Sequence, residues 1–427
     1  MTTIFLMKFT RLRRSETLGS NPSIDAHQNR IENETKLMIS RKNIVYQTFI
    51  AILYVLMIHC NSQKEIVEKK NIQGEHPGYS SLKFTEDLRI EREGWYPGGL
   101  EIDDEGKIYV FELDFGKIYI YDKHGNEVGQ KEFKQGQGPG DIYFMDPTFS
   151  SDGHLYIFDK KNQRLTVFNR EWKILDTREL RKKYKKNFMI LRLDSRNCIY
   201  AWTLKQNFIE GKYSPIVALI KISPSGKFLG EIFEYRDLDS EYLLKPSQEN
   251  IQYVCLYPPF GTFKLDAEDF VYYAISDKYE INVISPQGEF IRKITKATKP
   301  RKITEKDTSP KISGFKKAFS RFGSKLEFII PERMPAIADF FVFENKYILV
   351  VTYENPLDSP ILRGDLLDNE GNFRTTVDVP KYHQWSHWGV LFKKSALYEK
   401  NYFYTIEYDK DRDDDSRIVK RYRVIWN

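Results

Sequence analysis

Cysteine is the first thing this sequence is short of. Three cysteines in 427 residues, Cys60, Cys198 and Cys255, cannot build a disulfide framework, and no CxxC spacing is present to hold zinc or run redox chemistry. Cys198, in Cys198-Ile199-Tyr200-Ala201-Trp202, and Cys255, in Tyr253-Val254-Cys255-Leu256-Tyr257, read as small apolar strand residues. In an oxidising compartment the two could also pair. Catalytic signatures are missing too: there is no HExxH, no GxSxG and no Cys/His nucleophile arrangement. The net charge of +6 comes from Lys and Arg scattered among nearly as many acids. That is not the concentrated basic stripe that nucleic-acid binding needs.

What the chain has in quantity is aromatic residues, 15% of the total, with 27 Tyr and 29 Phe. Aromatic and β-branched side chains fit the pleated, half-buried surface of a sheet. A 30% charged content and a mean hydropathy of -0.54 point to a water-exposed body. The length would normally suggest two or three domains, but a chain of repeated units can grow without each unit needing a separate core.

Residues Ile44 to Ile58 form an apolar run broken only by Gln47 and Thr48, just after Arg41 and Lys42. A basic stretch before a short apolar one is a secretory-signal pattern. At about 15 residues it is short for a membrane-spanning helix, which needs roughly 20. The run ends at Met57-Ile58-His59-Cys60-Asn61-Ser62, which resembles a bacterial lipoprotein signal with Cys60 as the lipidated residue. His59 departs from that pattern, which wants a small residue there. An uncleaved signal anchor with unmodified Cys60 is therefore the alternative. Residues 1–37 are polar and read as a non-structural extension, 38–60 as signal or anchor, 61–81 as a flexible tether, and 82–427 as the folded body.

An internal repeat decides the fold expectation. Asp103-Asp104-Glu105-Gly106 leads into Lys107-Ile108-Tyr109-Val110-Phe111, and Ser151-Asp152-Gly153 leads into His154-Leu155-Tyr156-Ile157-Phe158. Four further copies begin near Asp194, Asp266, Glu344 and Glu399. Each pairs a turn with an aromatic and β-branched run, a hairpin signature. A second turn follows downstream, at Lys123-His124-Gly125-Asn126, Ser223-Pro224-Ser225-Gly226, Ser285-Pro286-Gln287-Gly288 and Asp368-Asn369-Glu370-Gly371. Six units of four strands predict a six-bladed, all-β propeller. The sixth unit ends after its third strand, Arg417 to Trp426, while Leu82 to Ile90 belongs to no unit. That spare strand should complete the last blade and close the ring, removing exposed sheet edges. Ile108, Val110, Leu155 and Ile157 should be buried between blades.

The segment Gly136-Gln137-Gly138-Pro139-Gly140-Asp141-Ile142, then Asp146-Pro147, then the Asp152-Gly153 turn, resembles the bacterial six-bladed β-propeller family, relatives of NHL-repeat and TolB-like propellers. Arg301 through Pro335 resembles the connection before that family's fifth blade. The resemblance covers roughly residues 80–427 and speaks for fold more than for activity.

In such a ring, loops at one end surround the channel mouth. Trp95, Tyr96, Tyr257, Arg333, His383, Trp385, His387 and Trp388 are the candidate ligand contacts there, because aromatics on a rigid scaffold suit stacking on sugars or anchoring a peptide. Packing between blades is the competing role for each ring. His383 and His387 lack the further ligands a zinc site needs, and Gly136–Gly140 lacks the ending of a phosphate loop. Asp409–Asp415 lacks the glycine and closing glutamate of a calcium loop. No metal, cofactor or catalytic residue is assigned. The expectation is a monomeric binding or scaffold propeller of the bacterial cell envelope, membrane-held at its N-terminus. It would recognise a peptide, protein or glycan and no nucleic acid. The alternative is a propeller enzyme, a lactonase-like hydrolase or lyase with a divalent metal in the channel.

Overall fold

A computed structural model describes residues 81–427 except 94, 96, 113–115, 206–207, 210–211, 214–215, 237–250, 258–260, 320–324, 356–358, 383–394 and 409–416. The signal or anchor region and Cys60 therefore lie outside the described residues, as do His383, His387 and the Asp409–Asp415 run. Six four-stranded antiparallel sheets form a six-bladed β-propeller. Blade 1 comprises Pro97–Ile102, Ile108–Glu112, Lys117–Tyr121 and Glu127–Glu132, from inner to outer strand. Blades 2 to 5 repeat this order, with inner strands Met145–Phe149, Asn187–Leu193, Gly261–Leu265 and Asp339–Val342. Blade 6 takes three strands from Ala396–Glu399, Tyr402–Tyr408 and Arg417–Trp426 and its outer strand from Leu82–Ile90.

The repeated turn has one construction. In the first hairpin of blade 1, the Asp103 carboxylate accepts the N–H groups of Glu105 and Lys107 at 3.0 and 2.8 Å. Asp194 does the same for Arg196 and Cys198, Asp266 for Glu268 and Phe270, and Asp368 for Glu370 and Asn372. Ser150, Ser223 and Ser285 use a hydroxyl for the second of these bonds. The residue three beyond the acceptor has positive φ: Gly106, Gly125, Gly153, Gly226, Gly288 and Gly371 fill it, but so do Asn197 and Asp269. A side-chain acceptor followed by one left-handed residue is an Asx-type turn that reverses the strand and leaves a bulge. The register shifts accordingly at Ile120/Tyr121, Val167/Phe168, Val283/Ile284 and Leu366/Leu367.

Antiparallel order puts both turns of each blade at one end of the ring. The loops between second and third strands, and the connections from blade to blade, lie at the other. At the turn end, neighbouring blades are stitched. Ser151 Oγ donates to Ser195 O at 2.8 Å, Ser195 N and Oγ donate to Asp269 at 2.7 Å each, and Lys346 pairs with Glu268 at 2.7 Å. Arg170 bridges to Asp104 and Glu105 of blade 1, and Lys400 of blade 6 donates to Asp104 O.

The core lies between sheets, as strand alternation requires. Ile108 and Val110 pack with Tyr404, Ile406 and Val419 of blade 6. Phe111 faces the other way, toward Leu155, Ile157 and Phe168 of blade 2. All four expected core residues, Ile108, Val110, Leu155 and Ile157, are buried. Cys198 is buried and free, so it has no disulfide partner. Burial raises its thiol pKa, with nearby Asp194 adding to the effect.

Leu82–Ile90 pairs antiparallel with Arg417–Trp426, from Leu82 opposite Trp426 to Ile90 opposite Val419. Arg421 reaches Asp87 at 2.8 Å and Lys420 reaches Glu86 at 3.1 Å across this seam. Deleting Leu82–Ile90 should leave blade 6 with an open edge. The expected result is a clearly lowered Tm and self-association by light scattering; unchanged values for both would show that the ring does not depend on this strand.

Candidate functional site

The loop end is elaborated over blades 4 and 5. Between the outer strand Phe290–Thr295 of blade 4 and the inner strand of blade 5, the chain forms a helix, Glu305–Phe319, and a strand, Lys325–Ile329. That strand pairs in parallel with Ile251–Cys255 from the preceding connection, Ile251 opposite Lys325 and Cys255 opposite Ile329. Two successive blade connections are thereby joined into an α/β cap. This is the segment whose resemblance predicts the connection before blade 5, and it is that connection.

The helix is a poor one by propensity, with Pro310 and Gly314 inside it. Its start and its buried face hold it. The Asp307 carboxylate reaches back to accept the Thr304 N–H and hydroxyl, each at 2.8 Å, half of a capping box. The same carboxylate takes both ends of the Arg301 guanidinium at 2.7 and 2.8 Å. Arg301 Nε donates to Tyr353 O at 2.6 Å, tying the helix start to blade 5. Burial alone would raise the Asp307 pKa, but the hydrogen bonds from Arg301 and Thr304 outweigh it and hold it at about 2.

Asp307, Lys311 and Phe315 recur every four residues and so share one helix face. Asp307 and Phe315 are buried, and Phe315 meets Phe328 edge-on with centroids 6.2 Å apart. Lys311 Nζ stands 3.4 Å from the centroid of the Tyr257 ring. Burial pulls the Lys311 pKa down to about 6, with Asp307 only partly opposing. The Tyr257 hydroxyl donates to Asp307 O at 2.7 Å, and burial together with the Asp307 charge drives its pKa upward.

Of the residues nominated from sequence, Tyr257 and Arg333 both belong to this cap. Tyr257 is buried, with 2% of its surface exposed, so its ring is a packing surface for Lys311 and Tyr353. Arg333 is partly exposed and donates to Pro300 O at 2.8 Å. Trp95 is 1% exposed and lies edge-on to Tyr119 between blades 6 and 1. Tyr96, His383, Trp385, His387 and Trp388 lie outside the described residues. The Gly136–Gly140 segment links blades 1 and 2. Its Gly138 N–H is taken by Asp141 at 2.9 Å, and a Cβ at Gly136 would stand 2.1 Å from the same carboxylate.

Arg301, Asp307 and Lys311 were not among the nominated residues. A signal existed. Residues 296–333 hold eleven Lys or Arg against four Asp or Glu, a net +7, while the whole chain carries only +6. The positive charge is therefore clustered rather than evenly scattered: residues 178–186, between blades 2 and 3, hold six Lys or Arg against one Glu, and residues 296–333 form the larger cluster. Lys299, Lys306 and Lys316 are exposed on the larger cluster and form no ion pair among the described residues.

A second group of charges joins the inner strands of blades 2 and 3 to the loop after Leu155–Asp159, the second strand of blade 2. Asp146 lies between Lys160 Nζ at 3.6 Å and Arg192 at 3.5 Å. Burial lowers the Lys160 pKa to about 8, partly opposed by Asp146. Lys264 and Asp339 pair at 3.3 Å between the inner strands of blades 4 and 5. Among the described residues no group of three or more His, Cys, Asp or Glu is placed to hold a metal ion.

The class these features define is a six-bladed β-propeller with a basic cap at its loop end. Among solved structures, the chain is similar to a member of the DUF4221 family from Bacteroides vulgatus, at 10% identity and TM-score 0.50, over 82% of this chain and 100% of that one. It is also similar to a candidate exported protein of Bacteroides fragilis, at 12% identity and TM-score 0.45, over 81% and 95%. Virginiamycin B lyase from Staphylococcus aureus matches at 11% identity and TM-score 0.43, over 81% and 100%. At these identities the likeness is one of fold. No protein family and no curated protein matches the sequence.

The lowered Lys311 pKa carries a sign. Between about pH 6 and the ordinary lysine pKa of 10.5, the unfolded cap binds a proton that the folded cap does not. Cap stability should therefore rise with pH through that window and level off below it. Hydrogen exchange of the Glu305–Phe319 amides, corrected for intrinsic rates, should slow from pH 6 to 9, and Lys311→Met should flatten the slope. An unchanged slope in the variant would remove Lys311 as the cause.

Proposed function

We propose that this propeller is a non-catalytic binding module of the bacterial cell envelope that takes an acidic peptide, protein or glycan at its loop end. The observation that carries the reading is the formal net +7 of residues 296–333, of which Lys299, Lys306 and Lys316 stand exposed on a cap that Arg301, Asp307 and the paired strands hold rigid. Unpaired surface lysines cost little when free and gain most from a partner of opposite charge, which they also steer toward the site. The envelope location rests on the apolar run Ile44 to Ile58 and on Cys60 as the residue to be lipidated.

Two measurements test this. Fluorescent oligogalacturonate and polyglutamate should bind the full chain, more weakly as salt rises. Lys299→Glu, Lys306→Glu and Lys316→Glu together should reduce that binding at least tenfold, with Tm unchanged because all three side chains are exposed. Failure of both probes to bind, or equal binding by the triple variant, rejects the cap as the site. For the anchor, a clickable fatty acid should label the wild type and not Cys60→Ala. Equal labelling of the two would reject lipidation and leave the uncleaved segment as the anchor.

A further inference from the structure

The turn end of the ring carries a pattern of its own. Just past its second turn, each of the first five blades exposes an apolar side chain at the start of its outer strand: Val128, Leu175, Leu229, Phe290 and Phe373, with 43% to 59% of their surfaces open. Blade 6 exposes its apolar residue on the third strand instead: Ile425, opposite Lys83 near the same end, is 37% exposed. Single exposed apolar residues are ordinary. Here they fall at one of two consecutive positions after the second turn, the bulged residue on blades 1 to 3 and the residue before it on blades 4 and 5, so the propeller's rotational repeat carries exposed apolar side chains round the turn end of successive blades. Exposed lysines neighbour several of them, Lys123 on blade 1, Lys173 on blade 2 and Lys227 on blade 3. Glu127, Glu171 and Glu289 lie nearby as well, so the rim is mixed in charge.

A second observation concerns where the chain enters. The outer strand of blade 6 starts at Leu82 opposite Trp426, and Ser81 and Asn427 exchange backbone hydrogen bonds beside them. That pair lies at the turn end, because the third strand of a blade runs toward its second turn. The 80 residues preceding Ser81, with the apolar run Ile44 to Ile58, therefore join the propeller at the same rim that carries the apolar ring.

We propose that this rim rests on a lipid bilayer, with the six apolar side chains entering its interface and the basic cap facing away. The proposal rests on the membrane-anchored reading above. A planar surface can meet six points spread around a ring at once, whereas a bound peptide strand would reach two or three. Half-exposed Phe, Leu and Val gain by shallow insertion, and the flanking lysines keep their ammonium groups at the headgroup level while their stems lie along it. The mixed charge of the rim matches a zwitterionic interface.

The full chain, reconstituted into phosphatidylcholine vesicles and floated on a density gradient, is oxidised by hydroxyl radicals. Protection at each residue is then measured relative to its intrinsic reactivity. Ile330 on the cap, 46% exposed, is the internal reference for Phe290 at 59%, Leu229 at 49% and Phe373 at 43%. Similar exposures predict similar protection in water; contact with lipid should raise protection of the rim residues at least threefold above Ile330. Replacing Phe290 and Leu229 together by Ser, which leaves the core untouched, should lower protection at Phe373 as well. Equal protection of rim and cap overturns the proposal. So does rim protection that disappears when the protein-to-lipid ratio is lowered, which would assign the ring to a second copy of the chain. A chain that does not float with the vesicles defeats the anchored reading itself, and the bilayer proposal with it.

Discussion

One short hydrogen-bonded unit sets the geometry on which everything else depends. An Asp, Asn or Ser side chain accepts the N–H groups that a reversing chain would otherwise leave open, and a single left-handed residue completes the reversal. In blade 1 this is Asp103 with Gly106; in blade 4 it is Asp266 with Asp269. Each such bond contributes about 0.5–1.5 kcal/mol net, a small amount singly. Its effect is larger because it recurs, fixing strand register in hairpin after hairpin. Register decides which face of each strand meets which neighbour. With the wrong register, Ile108 and Phe111 would exchange blades, and the interdigitated layers between sheets could not form.

That dependence explains what could be read from the sequence. The turn acceptor and the aromatic strand lie within ten residues of each other, so local chemistry announces a blade without knowledge of the rest. Counting then exposes a last blade short of one strand and a spare strand at Leu82 to Ile90. The cap offers no such signal. Its parallel pairing joins Ile251–Cys255 to Lys325–Ile329, more than seventy residues apart, and its helix contains both Pro310 and Gly314. Nothing local predicts either. The ring of Tyr257 looks like a ligand platform in sequence because Pro258, Pro259 and Gly261 surround it, yet burial of that ring depends on a helix fifty residues later. Trp95 shows the same difficulty: an aromatic beside Pro97 and Gly98 reads as exposed, and the packing of blade 6 against blade 1 covers it.

Charge in this protein is distributed by position along the ring axis. Acids at the turn end are largely spent on backbone N–H groups and on stitches between blades, as with Asp104, Asp269 and Glu268. On the cap at the opposite end, basic residues outnumber acids eleven to four over residues 296–333. Within the cap one lysine differs from the others: Lys311 is held against an aromatic face by burial, while Lys299, Lys306 and Lys316 remain in solvent. A single helix thus carries the same residue type packed on one face and open to solvent on the other. The buried Asp307–Arg301 pair, bidentate and further bonded to Thr304 and Tyr353, is the fixed point between the two.

The exchange of backbone bonds between Ser81 and Asn427, at 3.2 and 3.1 Å, means that residues 81–427 begin and end at neighbouring points on the rim. Covalent order around the ring is then a matter of where the chain happens to be cut. A few residues bridging that pair, with a new break in another blade connection, would describe the same six sheets in a permuted order. By the same geometry the whole propeller could be set into a surface loop of another protein without prying that loop apart.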